Sequence, residues 1–118
     1  FSKENMRNIR KRIDALRGIF DIESKQNDLE KLENDSLSSD FWLNPKEAEK
    51  TIKNIQVLKK QISDYNTLNS NYDDVTVLSE FNSLKELSDN ELNSSFNELL
   101  TFLEDLEFKM MLSKKEDS

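Results

Sequence analysis

The 118 residues carry 17 Lys plus Arg against 24 Asp plus Glu, a formal charge of -7, with one Gly, one Pro, no Cys and no His. Lack of Cys excludes a disulfide framework, a thiol nucleophile and a thiolate zinc site; lack of His removes the commonest metal ligand and the commonest general base near neutral pH. A single Gly cannot build the phosphate-cradling loops of nucleotide-binding proteins, so the composition argues against a self-contained enzyme and calls for no cofactor.

The first segment places Met6, Ile9, Ile13, Leu16 and Phe20 at steps of three and four, one stripe of a helix. Its other face holds Lys3, Arg7, Arg10, Lys11, Arg12 and Arg17 against only Glu4 and Asp14, so the opening helix is basic while the rest of the chain is acidic. Such a face either pairs with acidic helices beside it or makes a local contact with phosphate. Gly18 is suited to the left-handed residue that closes a helix, and Asp21 to the N-cap of the next. That second helix carries Ile22, Leu29 and Leu32 and is expected to fade in the polar stretch from Asn34 to Ser39.

Phe41 and Trp42 follow in a loop, where they are expected to cap the open end of a core, the other reading being a partner-binding spot. Asn44, Pro45 and Glu47 have the spacing of a helix start with a capping box. From Ala48 the apolar residues Ile52, Ile55, Leu58, Ile62, Tyr65, Leu68, Tyr72, Val75 and Leu78 keep helical steps. They predict a long third helix, weakest at 69–74, where poor helix formers cluster and a hinge is allowed. The spacing runs on through Phe81, Leu84 and Leu87 to a turn expected at 87–90, with Ser88 and Glu91 as a second capping box. The last helix reads Leu92, Phe96, Leu99, Leu103, Leu106 and Met110, the cleanest heptad in the chain, with Phe102 and Phe108 widening its core face.

Strand signals are nearly absent. The expected class is all-α: an antiparallel, coiled-coil-like helical bundle spanning 1–112 as one domain, followed by a polar tail over 113–118. Carboxylate pairs such as Glu30 with Glu33 and Glu104 with Asp105 lie on polar faces, where little separates their acidities, so no catalytic or metal role is assigned to them. The apolar clusters are far shorter than the roughly 20 residues that span a bilayer. A cytoplasmic chain without a membrane contact is expected.

Arg12, Ile13, Asp14, Ala15, Leu16, Arg17 and Gly18, followed by Phe20 and Asp21, resemble the opening of the first domain of the bacterial type 2 peptide chain release factors, the class I termination factors for UAA and UGA codons. Leu29 to Leu32, then Asp40, Phe41, Trp42, Asn44, Pro45 and Ala48, are similar to that family's Asp-Phe-Trp block before its long helix. Leu103, Glu104, Leu106, Glu107, Phe108 and Met111 resemble the segment that leaves the helical domain. The family's Ser-Pro-Phe and Gly-Gly-Gln tripeptides have no counterpart here.

The resemblance therefore implies the N-terminal helical domain of a longer factor, cut near the polar tail, with codon reading and peptidyl-tRNA hydrolysis residing elsewhere. It implies docking near the ribosomal stalk base, through rRNA or ribosomal protein, and an influence on recycling by the GTPase release factor. Arg7, Arg10, Lys11 and Arg17 are the candidate ribosome-contacting residues, and the fragment itself is expected to be a monomer. A free-standing helical adaptor would use the same heptads, and homodimerisation would mark it.

Overall fold

A computed structural model describes the backbone of residues 1–116 and the side chains of residues 1–112. It contains four α-helices and one short 3-10 turn: α1 (Lys3–Phe20), α2 (Ile22–Ser36), the turn at Phe41–Leu43, α3 (Pro45–Ser83) and α4 (Asp89–Glu116). There is no strand among the described residues. Helix α4 takes in the first four positions of the tail expected over 113–118; the last two positions and all six side chains lie outside the described residues.

Each helix starts where a side chain can replace a missing backbone partner. The Ser2 hydroxyl accepts from the Asn5 amide at 3.0 Å, Asn44 from Glu47 at 3.4 Å with Pro45 in the first turn, and Ser88 from Glu91 at 3.2 Å. The left-handed residue between α1 and α2 is not Gly18, which lies inside α1, but Asp21, at φ 49°. One residue serves both helices. Its amide closes α1 on Arg17 and Gly18, and its carboxylate caps α2 at Ser24. Asp tolerates this conformation because its short side chain can hydrogen-bond locally, so the break needs no glycine. Helix α2 also outlasts expectation, continuing to Ser36, whose hydroxyl donates back to the Glu33 carbonyl at 2.7 Å.

The 39 residues of α3 form the spine, uninterrupted through 69–74. The hinge that the sequence allows there is not used: Asn69 donates its side-chain amide to the Tyr65 carbonyl, and Leu68, Tyr72 and Val75 pack into or against the core around the polar run. The turn into α4 falls at 84–88, slightly ahead of the expected position. It is a Schellman closure, in which the Glu86 amide donates to Phe81 and the Lys85 amide to Asn82. Asn82 ties the turn down by donating to the Leu87 carbonyl and to Asp89. Lys85 sits at φ 64°, where a β-carbon is crowded. Lys85→Gly is therefore expected to stabilise the fold by up to about 1 kcal/mol despite glycine's larger entropy in the unfolded chain, read as a raised thermal midpoint. A lowered midpoint would show that the lysine side chain contributes more than its backbone costs.

Helices α1 and α4 both pack on α3, α1 through Arg10 on Asn69 and Tyr72 in its second half. Phe1 meets Phe96 edge to face at 5.9 Å and Arg12 reaches Glu107, so α1 and α4 run parallel to each other. The core is this three-helix body: Ile13, Leu68, Leu99, Leu103 and Leu106 are its most deeply buried large side chains, joined by Met6, Ile9, Leu16, Phe20, Tyr65 and Val75. All six apolar residues expected on α4 and all five on α1 are buried. Phe108 is a correction, since it is 61% exposed, and Phe102 is only half-buried. The first half of α3 faces α2 and forms a thinner arm with Ala48 and Ile55 as its buried contacts. The molecule is elongated accordingly, 62 × 31 × 19 Å.

Candidate functional site

The six cations of α1 separate into two groups once the helix is packed. Arg10 donates to Asp14 one turn on and to the Asn69 side chain of α3 at 2.9 Å, and its guanidinium lies 5.0 Å from the centre of the Tyr72 ring. Arg12 forms a two-pronged pair with Glu107 of α4, one prong from Nε at 3.1 Å. That hydrogen bond, helped by the Glu107 and Glu104 charges and opposed by partial burial, raises the guanidinium's pKa above its ordinary value. Arg17 pairs with Glu23 across the α1–α2 break at 3.0 Å with both partners exposed, a geometry worth little in water.

Arg7 and Lys11 differ from these. They are exposed and make no ion pair among the described residues. With Lys3 they stand at i, i+4 and i+8, so successive charges stack along one face of the helix. The sequence reading missed Lys3, although the four-residue step was there to be read. Of the four candidates, Arg10 and Arg17 are thus engaged within the molecule, while Arg7 and Lys11 belong to an open cationic row. The row can offer phosphate or carboxylate groups a salt-sensitive attraction.

Phe41 and Trp42 lie on the 3-10 turn at the end of the arm and meet edge to face at 5.1 Å. They do not cap the core as expected. Trp42 is 64% exposed and Phe41 half-buried, and neither joins the buried cluster. The reason is the arm itself: α2 and α3 alone give an aromatic pair too little surface to hide against. Leu37 and Leu43 are exposed beside them, so the tip presents several large apolar side chains to solvent, the kind of patch that marks a contact with another molecule.

The carboxylate pairs stay on polar faces. Glu33 approaches only Lys59, at 3.8 Å, and no group of three or more potential metal-binding side chains occurs among the described residues. No helix is long and apolar enough to cross a membrane among the described residues.

No family model matches the chain. Among curated proteins it is similar to peptide chain release factor 2 of Shewanella baltica, 30% identical over 118 residues, covering 98% of this chain and 32% of that protein. Peptide chain release factor 2 of Aeromonas hydrophila is 31% identical over 95% of the chain and 31% of its own length. The protein of that name from Chlamydia pneumoniae is 35% identical over 74 residues, 56% of the chain and 20% of its own length. The chain thus spans about a third of the length of the Shewanella and Aeromonas relatives.

Proposed function

We propose that this chain is the N-terminal helical domain of a translation termination factor, of the type that reads UAA and UGA, and that it binds and positions without doing chemistry. One observation carries the reading: similarity to peptide chain release factor 2 runs over 98% of this chain but only 32% of the relative, as expected if one domain of a larger factor is matched whole. Codon reading and hydrolysis of peptidyl-tRNA belong to other parts of such a factor. This part would work in the cytoplasm, near the stalk base of the ribosome, with the GTPase release factor as a further partner.

Within that reading the open row of Lys3, Arg7 and Lys11 is the edge that meets rRNA phosphate, and the exposed aromatic tip is the edge that meets ribosomal protein. The chain from 61 to 108 is too acidic to approach RNA. Between residues 61 and 108 Lys85 is the single cation.

Two measurements test this. Sequencing the parent gene beyond the codon for Ser118 should reveal Ser-Pro-Phe and then Gly-Gly-Gln; a stop codon there would remove the release-factor reading and leave a helical adaptor. In the full-length factor, Arg7→Glu combined with Lys11→Glu should weaken ribosome binding on the order of tenfold and flatten its log-log salt dependence by about 2. Arg10→Glu is the wrong probe, because it would break contacts with Asp14, Asn69 and Tyr72 that hold α1 to α3. Unchanged affinity and salt slope in the double variant would remove the cationic row from the interface.

A further inference from the structure

We propose that a groove where the α1–α2 junction, the first half of α3 and the end of α4 converge is a docking site for an acidic amphipathic helix of a partner protein. The groove encloses about 540 Å³. Its floor is apolar: Phe20, Leu106 and Met110 come up from the core, and Val57 of α3 stands 54% exposed among them. Its rim is cationic: Lys25, Lys53, Lys60 and Lys109 line it against one carboxylate, Asp64.

The rim continues a basic stretch of α3, residues 46–60, where five lysines stand against Glu47 and Glu49, and contrasts with the acidic chain that follows. Residues 61–108 hold eleven carboxylates and one lysine, and the whole chain carries -7. Four lysines gathered from three helices around an apolar floor are thus a local exception, and the floor and rim together define the occupant. Apolar side chains of an entering helix would fill the space over Val57 and Met110, and flanking carboxylates would meet the lysines.

The lysines are available for this. Lys109 has no ion pair among the described residues. Lys53 is held only by an exposed one-turn pair to Glu49 at 3.1 Å, a contact worth a few tenths of a kcal/mol that an incoming carboxylate can replace, while Lys60 keeps its exposed ammonium 2.8 Å from the half-buried Asp64 and has further donors free for a second carboxylate. Lys25 is the fixed member, donating to the Phe20 carbonyl at 2.7 Å with its charge 5.7 Å from the ring centre.

The test uses the 118-residue chain and a fluorescein-labelled synthetic peptide of about 16 residues with Leu at i, i+3, i+4 and i+7 and Glu at the flanking positions. A second peptide replaces every Glu by Lys. Fluorescence anisotropy should show the Glu peptide binding, with affinity falling as salt rises from ~50 to ~200 mM, and the Lys peptide not binding. Lys53→Glu combined with Lys60→Glu should weaken binding by at least roughly tenfold, and Lys109→Glu alone by a smaller factor, each with an unchanged circular dichroism spectrum.

Equal binding of both peptides, or full binding by the charge-reversed variants, would overturn the proposal. So would a dimer in sedimentation that the same substitutions abolish, since a second copy would then be the occupant. The ribosome reading uses the row on α1 rather than this groove, so either can fail without the other.

Discussion

Leu103→Ala is expected to cost about 3–5 kcal/mol and to lower the thermal midpoint by more than about 10 °C. Leu103 is fully buried, on the α4 stripe that faces both α1 and α3. Truncation loses the transfer energy of the removed carbons and leaves a cavity that three helices, each fixed by its own hydrogen bonds, can close only in part. The core of so lean a chain has few other large contacts to compensate, so the loss is a large share of total stability. Leu43→Ala is the matched control: the same atoms are removed from a side chain that is 80% exposed at the arm tip, and the expected change is under about 0.5 kcal/mol. Equal midpoints for the two variants would mean that the tip, not the three-helix body, carries the fold.

The same contrast separates what the sequence discloses from what it withholds. Periodicity tells which side chains share a face, and on α1 and α4 that face is buried throughout, because each helix has neighbours along its length. It does not tell whether a face has anything opposite. Val77, Phe81 and Leu84 keep helical spacing at the end of α3 yet are 48%, 44% and 68% exposed, because they lie off the face on which Val75 and Leu78 meet the core. Phe108 likewise lies off the buried face of Leu103, Leu106 and Met110, and Trp42 stands on the turn at the tip of the arm. Side-chain type suggested a core; only the packing shows that none reaches them.

The basic face illustrates a second limit. That α1 is cationic is plain from the chain, but which cations remain open depends on Asn69 and Glu107, 59 and 95 residues away from their arginines. The lysine groove was unreadable for the same reason, since Lys25, Lys53 and Lys109 belong to three helices. Turn chemistry, by contrast, was local and legible at Asn44 and Ser88. It failed in preferring Gly18 to Asp21, where the preference of glycine for left-handed backbone was given more weight than the ability of one aspartate to end one helix and begin the next.

Ser70→Pro is expected to cost about 3 kcal/mol or more and to divide thermal unfolding into two steps. The polar run at 69–74 looks like a hinge on propensity alone, but each poor helix former costs only about 0.5–0.7 kcal/mol. Burial of Leu68 and Val75 on either side of the run outweighs those costs. If the helix is continuous, the Ser70 amide donates to the carbonyl four residues back, and proline removes that donor while its ring collides with the same carbonyl. The Ser70 side chain is exposed, so little else is lost. A true hinge would accept the proline at small cost, leaving one transition near the parent midpoint. The continuous helix makes the opposite prediction. Helix α3 joins the well-packed body, along its second half, to the thin arm with α2 along its first, with the α1–α2 junction at Asp21 as a second link. Interrupting it should let the arm melt first while the body, held by α1 and α4, persists to higher temperature, a separation that hydrogen exchange of the α2 amides would report directly.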